Sequence, residues 1–335
     1  MTEVKVGLAV VLFLRRQFPE AQRLAEESLI LASRLNDSPI NAAAHAVLGL
    51  TLYSKGQFTA ARKHYEDSIR LFGARAPSSF GQIALAGNSA ESILGMLLVP
   101  LGYPDTARAR LRSALVESQR GSDPFKTSVA LAPFCAAEVE LHDPISARPL
   151  IEELIATASE YAIPAFRSTA LLFRAWTMTF GEQADEGLDE MQRHLAASEA
   201  PAVVISVLKV ALAEAFAKHR KLRESLATLE NGLADPQRNA EAEFHRVKGE
   251  VLLLGMPRDE AGAERTFRGA IDIARSQAAR LYELRATTRL ARLLRGTGRR
   301  DEARTMLGDI YDWFTEGFDT ADLKDAKALL AELSA

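Results

Sequence analysis

The chain has almost no cysteine and few aromatic side chains. Its 335 residues include one cysteine and two tryptophans, and aromatic residues make up 7% of the total. A single thiol excludes an internal disulfide framework and is typical of a reducing compartment. Because Cys135 lies in the apolar run Ala-Pro-Phe-Cys-Ala-Ala, we expect it to be an inert buried thiol.

The sequence also lacks a large excess of charge of either sign. It has 41 basic and 44 acidic residues, and its formal net charge is −3. This balance gives no general attraction to nucleic acid or to an anionic membrane. The apolar run at residues 6–14 is far shorter than the roughly 20 residues of a membrane span. Arg15 and Arg16 follow it where a signal peptide would have small residues. We therefore expect a cytoplasmic protein that binds neither membrane nor nucleic acid directly.

Catalytic and metal-binding motifs are missing as well. The six histidines form no His-x-x-x-His pair and have no cysteine at metal-ligand spacing. The sequence has neither a Gly-x-Ser-x-Gly elbow nor a Gly-x-x-x-x-Gly-Lys-Ser/Thr phosphate loop. Catalytic groups can also come from distant residues, so an enzyme with a site assembled between repeats is kept as the least favoured alternative. The sequence predicts a chain without enzyme activity, metal or cofactor.

What the chain does have is a repeat close to 40 residues long. A small residue recurs eight times, followed four and seven places later by residues that share its helical face. The small residues are Ala21, Ala61, Ala107, Ala147, Gly187, Ser225, Ala263 and Ala303, at steps of 40, 46, 40, 40, 38, 38 and 40. A period that persists to both ends indicates stacked helical repeats. The predicted fold is all-α, a right-handed solenoid of antiparallel helix pairs.

The predicted boundaries follow from this repeat. Residues 1–318 are expected to form an eight-unit array, and residues 319–335 a capping helix whose apolar positions run from Leu323 to Leu333. The array should be least regular across residues 73–150, where one step is longest and prolines fall inside helices. Pro133 lacks the amide donor that an interior position requires, which predicts a kink or break between Leu131 and Ala136.

Three repeats carry a family pattern, most clearly the second one. Leu48-Gly49 and Leu52 lead to Gly56, and Ala61 and Tyr65 follow. This order, Leu-Gly-x-x-Leu-x-x-x-Gly and then Ala-x-x-x-Tyr, resembles the tetratricopeptide repeat, as do repeats three and eight. The family period is about 34 residues. The longer steps here resemble the sensor arrays of large bacterial signalling ATPases, including maltotriose-activated transcription regulators.

The C-terminal residues carry a second resemblance. Residues 283–293, 298–304 and 311–320 are similar to the C-terminal tail of bacterial nucleotide-cyclase/ATPase signalling proteins. In those proteins a cyclase domain and an ATPase domain precede the array, whereas this chain has no phosphate loop and no cyclase-sized α/β segment. The resemblance implies a regulatory segment of such a protein or a free-standing relative, and an opening inside a helix favours a fragment.

The resembled family lines a concave groove with the first helix of each pair. The lining implied for repeats two to five carries no charge and consists of Ala43, Ala46, Leu50, Tyr53, Ser89, Ser92, Met96, Val99, Val129, Ala132, Ala136, Val139, Thr169, Leu172, Trp176 and Thr179. Aromatic side chains such as Tyr53 and Trp176 are frequent binding anchors. The alternative is that this lining is buried against itself.

Repeats six to eight supply charged residues to the same surface. Glu214, Glu243, Arg246 and Glu250 precede a row of arginines at positions 285, 289, 292, 295 and 299. Arg285, Arg292 and Arg295 are expected on the groove side, where planar guanidinium groups suit a carboxylate or a phosphate. The alternatives are a solvated face, or pairing with Glu243 and Glu250 of the preceding repeat.

The predicted function is a non-catalytic scaffold or sensor that binds a peptide, a partner domain or a small effector in this groove. The predicted ligand-binding residues are Tyr53, Met96, Trp176, Arg246, Glu250, Arg285, Arg292 and Arg295. The regulatory segment of a larger cyclase/ATPase protein is the alternative. The identity of the partner and the oligomeric state are left open.

Overall fold

The computed structural model of the protein describes residues 2–35, 37–72, 90–121, 123–196 and 202–334. These residues form seventeen helices and no β-strand, which confirms the predicted all-α fold. In chain order the helices are α1 (Thr2–Leu14), α2 (Phe18–Leu35), α3 (Ser38–Ser54), α4 (Phe58–Phe72), α5 (Ala90–Leu98), α6 (Pro104–Arg120), α7 (Pro124–Glu140), α8 (Pro144–Glu160), α9 (Pro164–Met178), α10 (Ala184–Ala196), α11 (Ala202–Lys218), α12 (Leu222–Ala234), α13 (Glu241–Leu254), α14 (Glu260–Ser276), α15 (Arg280–Gly296), α16 (Arg300–Tyr311) and α17 (Ala321–Ser334).

The first sixteen helices form eight pairs, which we number as units one (α1/α2) to eight (α15/α16). The two helices of each unit pack together, and each unit packs on the next. The first helices of neighbouring units also contact one another, as α11 does with α13 and α13 with α15. Since α11 contacts α3 and α7 as well, the first helices lie inside the array and the second helices outside.

The second helices show why the small residues recur. In α4 the buried residues are Phe58, Ala61, Tyr65 and Ser68, which form one stripe along the helix. The eight small residues occupy the matching positions of the eight second helices, and all of them are buried. A small side chain lets two helices approach closely. At Gly49 in α3, an added Cβ would already lie 3.1 Å from the Tyr65 ring.

Six first helices are followed, in the turn that ends each of them, by a residue with left-handed backbone geometry. These residues are Arg16, Gly56, Gly102, His142, Arg220 and Gly298, with φ between 54° and 93°. In each case the next amide donates to a carbonyl five residues back, as from Gln57 to Leu52 at 2.9 Å. This bond belongs to the Schellman arrangement that closes a helix C-terminus. The turns inside the units therefore recur with the period of the sequence repeat.

Pro133 does not break its helix. The helix α7 continues from Pro124 to Glu140 across this residue, so the break predicted between Leu131 and Ala136 is wrong. Because α7 is buried from Thr127 to Glu140, its neighbours on all sides hold the backbone where one hydrogen bond is lost. Residues 73–89, which fall within the longest step of the repeat, lie outside the described part of the chain.

The stack of units turns back on itself after five units. The loops that follow units six and seven lie against the turns inside units one, two and three. Asp235 pairs with Arg16, and the Arg238 amide donates to the Ser54 carbonyl at 2.7 Å. One loop further on, the Leu281 amide donates to the carbonyl of residue 100 at 3.1 Å. Successive superhelical turns are therefore in direct contact.

A third contact of the same kind joins unit three to the loop after unit eight. The amide and hydroxyl of Thr106 donate to Glu316 at 2.9 and 2.7 Å, and the Tyr103 ring lies 5.6 Å from that of Trp313. Gly102 has a φ of 93°, and a Cβ at this position would lie 2.7 Å from Trp313. Glycine is thus required both for the left-handed turn and for the approach of the loop.

The burial of Ala107 against α5 predicts that substitution by leucine affects stability very differently at two alanines of α6. Ala107 is fully buried, whereas Ala109 on the same helix is exposed. Ala107→Leu should lower the free energy of unfolding by about 1–3 kcal/mol through overpacking. Ala109→Leu should change it by no more than about 0.5 kcal/mol. Urea denaturation of both variants measures the difference, and equal effects would show that this register is wrong.

Candidate binding groove

The neutral part of the predicted lining is buried in this conformation. Tyr53 and Met96 are 0% exposed and Trp176 is 2% exposed. The other described members are buried too, except Leu50, which is half-buried, while Ser89 lies outside the described residues. Helix α11, from the second half of the array, packs against α3 and α7, which carry part of this lining. A partner can reach these side chains only if the superhelical turns separate.

The charged part of the predicted groove forms a row of ion pairs across four inner helices. We call it the charge ladder, and it comprises Glu214 of α11, Glu243, Arg246 and Glu250 of α13, Arg285, Arg289, Arg292 and Arg295 of α15, and Asp322, Asp325 and Glu332 of α17. Each of its arginines pairs with at least one of its carboxylates. Predicted binding residues Arg246, Glu250, Arg285, Arg292 and Arg295 are all members.

Arg246 is the most deeply buried member of the charge ladder. Its side chain is 1% exposed, and its Nε and Nη2 each donate to Glu243 at 2.8 Å. Its Nη1 donates to Glu250 at 2.8 Å, and its Nη2 also contacts Glu214. Desolvation lowers the pKa of Arg246, but the three surrounding carboxylates outweigh it and the pKa lies well above its ordinary value. Its positive charge is therefore permanent.

Arg285 holds three helices together from one buried guanidinium. Its Nη1 donates to Glu243 at 3.1 Å and its Nη2 to Asp322 at 2.7 Å. The same Nη2 donates to the backbone carbonyl of Glu140, at the end of α7. Arg289 likewise donates to Glu250 at 2.5 Å. Both arginines therefore pair with the preceding repeat, which was one of the alternatives for the arginine row.

The outer arginines of the row pair with the last helix instead. Arg292 contacts Asp325 and Arg295 contacts Glu332, both on α17. These arginines are 37% and 42% exposed, so a partner could reach them more easily than the buried Arg246 and Arg285. The row therefore runs from a buried end at Arg285 to an accessible end at Arg295.

The C-terminal end of α7, from the other superhelical turn, contacts the charge ladder. Glu140 accepts a hydrogen bond from the Tyr282 hydroxyl, and His142 Nε2 lies 2.9 Å from Glu214 Oε2. A cavity of about 20 Å³ separates the two sides, lined by Val139, Glu140, His142, Val207, Val210, Ala211, Glu214, Ala240, Glu243, Tyr282 and Arg285. This volume is enough for one water molecule and too small for a peptide side chain.

Two carboxylates at this cavity have pKa values shifted in opposite directions. Burial raises the pKa of Glu140 to about 7, and the Tyr282 hydroxyl and the Arg285 charge reduce this effect without cancelling it. Burial acts on Glu214 in the same sense, yet its pKa lies well below the ordinary value because Arg246 and His142 favour its charged form. The site therefore holds one carboxyl that titrates near neutrality beside one that stays ionised.

Sequence reasoning missed Glu140, His142, Tyr282 and the acidic residues of α17. Glu140 and Tyr282 are 142 positions apart, and no local pattern links them. The acidic residues of α17 did carry a signal, because Asp322, Asp325 and Glu332 share one helical face and match the arginine row in charge. In the part of the chain that the structure describes, no three His, Cys, Asp or Glu side chains are placed to hold a metal ion. None of the described helices combines the length and apolar character needed to cross a membrane.

Comparison with known proteins identifies the first two units. Residues 1–74 match the family model described as Tetratricopeptide repeat. This match covers units one and two of the eight helix pairs. The search of curated protein sequences finds no match.

Two solved structures are similar over most of the chain. One is a tetratricopeptide repeat protein from Parabacteroides merdae, with 14% identity, 83% of this chain and 97% of that chain covered, and a TM-score of 0.41. The other is the apo form of the quorum sensor NprR from B. thuringiensis, with 12% identity, 99% and 98% covered, and a TM-score of 0.49.

The charge ladder predicts a large difference in stability between two arginine variants. Arg285→Met leaves Asp322 without its buried cation and takes one of two arginine partners from Glu243, which should cost about 3–5 kcal/mol. Arg292→Met removes a half-exposed pair and should cost less than about 1 kcal/mol. Urea denaturation at one pH compares the two variants directly, and similar losses would contradict the buried role of Arg285.

Burial of Glu140 predicts that part of the stability depends on pH. Because its pKa is raised from 4.5 to about 7, the folded protein retains a proton that the unfolded chain loses within this interval. The contribution of Glu140 to the free energy of unfolding should therefore fall as pH rises through the interval and stay constant above it. Glu140→Gln should remove this decline. Denaturation below, within and above the interval tests it, and identical pH profiles for both proteins would refute the assignment.

Proposed function

We propose that this protein is a non-catalytic binding module whose charge ladder recognises carboxylate groups of a peptide or protein partner. Tetratricopeptide repeats generally serve as protein-interaction scaffolds, and the all-α solenoid with its tetratricopeptide-type first units fits that role. The finer proposal concerns where the partner binds and which chemistry it carries.

The observation that carries the proposal is the contrast between the two halves of the interior. The first helices of units two to five meet through neutral side chains, such as Tyr53, Met96 and Trp176. The first helices of units seven and eight meet through buried charges, such as Glu243 of α13 and Arg285 of α15, with the same pair architecture. Packing of helix pairs therefore does not require charge at these positions.

Buried charges are also an expensive way to hold helices together. Ion pairs removed from water repay their desolvation only when every polar group is satisfied, and apolar replacements are often equally stable. Here Arg285 Nε and Glu140 Oε2 have no hydrogen-bond partner among the described residues. Departures of this kind from the rules of stable packing are common where a protein binds something.

The chemistry of the ladder suits a carboxylate. Guanidinium groups bind carboxylates through two parallel donors, and Arg292 and Arg295 each have one carboxylate neighbour and substantial exposure. A partner carboxylate would replace Asp325 or Glu332 at these positions without leaving a buried charge unpaired. The buried end at Arg246 and Arg285 would keep the inner helices in register during the exchange.

The test is a peptide selection on the full chain followed by a matched pair of variants. Peptides selected from a random displayed library should bind Arg292→Ala about 10- to 150-fold more weakly, the equivalent of one charge-assisted hydrogen bond. Arg265→Ala, which removes an exposed arginine from the outer helix α14, should leave affinity unchanged. Thermal melting should be nearly the same for both variants. Peptides that bind Arg292→Ala as tightly as the unaltered protein would overturn the proposal.

A further inference from the structure

The last helix occupies the surface to which the proposed function assigns the partner. Asp322 pairs with Arg285, Asp325 with Arg292, and Glu332 with Arg295. These three acidic residues lie on the side of α17 that faces α15. The row of arginines is therefore covered from its buried end to its accessible end by one acidic helix.

We propose that α17 is an exchangeable cover of this arginine row and that the partner which displaces it is an acidic amphipathic helix. The inference rests on the proposed function and specifies its ligand. It uses α17 itself as the template, since α17 shows which pattern of charge and apolar contact this surface accepts.

The apolar side of α17 defines the second requirement for the partner. Leu323, Ala326, Leu329 and Leu333 are all buried, and α17 packs on α15 and α16. Their spacings of three, three and four residues are those of one helical stripe. A replacement helix needs small or aliphatic residues at the same spacings, with carboxylates on the neighbouring face.

Contacts to the backbone of α17 would serve any helix of similar length. The Nε of Arg300 donates to the Leu333 carbonyl at 2.9 Å, and its Nη2 donates to the Glu332 carbonyl at 2.6 Å. Carbonyls at a helix C-terminus lack partners within the helix, so a cation at this end stabilises helices irrespective of their side chains. Arg300 thus adds affinity for the helical form itself.

The ion pairs of α17 at the accessible end of the arginine row are open to solvent. Two of its three carboxylates, Asp325 and Glu332, are 39% and 58% exposed. Exposed ion pairs contribute little to stability, so these contacts can be exchanged at low cost.

Charge then determines what can bind the uncovered surface. Without α17, five arginines of the charge ladder face only three glutamates, Glu214, Glu243 and Glu250. The exposed row is therefore positive. An acidic helix restores the balance, whereas a basic or neutral helix leaves the arginines without partners.

The experiment uses the full chain and a synthetic peptide with the sequence of residues 319–335, labelled with fluorescein. The loosened protein carries Asp325→Asn and Glu332→Gln, which remove two exposed carboxylates from α17. The matched control protein carries Asp309→Asn and Glu230→Gln on the outer helices α16 and α12, where both side chains are exposed. A second peptide carries the same two changes as the loosened protein.

The loosened protein should bind the acidic peptide at least about tenfold more tightly than the control protein, because its own helix competes less well at millimolar effective concentration. It should bind the neutralised peptide more weakly than the acidic one, and addition of Arg292→Ala should cancel the gain. Hydrogen exchange of residues 321–334 should be faster in the loosened protein. Should the loosened protein be poorly folded by circular dichroism, Asp325→Asn alone makes the same comparison.

The outcomes separate this inference from the proposed function. Equal binding of the acidic peptide by loosened and control proteins, or of both peptides by the loosened protein, would overturn the exchange. If library-selected peptides depend on Arg292 while α17 keeps its protection from hydrogen exchange, the exchange is overturned and the proposed function stands. If those peptides bind independently of Arg292, the proposed function falls, whatever the fluorescent peptide does.

Discussion

The close approach of the two helices in each unit, at a single small side chain, is the contact on which the rest of the structure depends. In unit five the approach is close enough that a Cβ on Gly187 would lie 2.8 Å from the backbone carbonyl of Ala175. Such a position recurs in all eight units, and the small residue is buried in each second helix. The stacked units bring the loop after unit six to the turn of unit one, where Asp235 meets Arg16.

The closure of the superhelix explains the electrostatics of its interior. Glu140 is not a surface carboxylate because the end of α7 faces α15 across the turn, and burial there raises its pKa to about 7. The inner face of units six to eight is consequently a place where charges interact strongly, since little water separates them. In such an environment each arginine discriminates strongly between a carboxylate partner and a neutral one. A buried guanidinium left unpaired is costly, whereas one paired with a carboxylate is favourable.

Local patterns predicted the helix pairs well because their causes are local. Ala61 and Ala303 mark the contact stripe by spacing alone, and both are fully buried. The arginine row was visible for the same reason. The break predicted at Pro133 is absent because the surrounding burial of α7, a tertiary property, outweighs one missing hydrogen bond. Tyr282 and Glu140 could not be linked, since their contact exists only once five units have been stacked.

The return of the chain onto itself makes the number of units part of the fold. In an open array, a helix pair can be gained or lost with little effect on distant pairs. Here, inserting one additional helix pair between units three and six would move each later loop away from the turn that it now contacts. The glycine at position 102 would then face a different loop in place of Trp313. The number of units in one superhelical turn is therefore fixed by the contacts between successive turns.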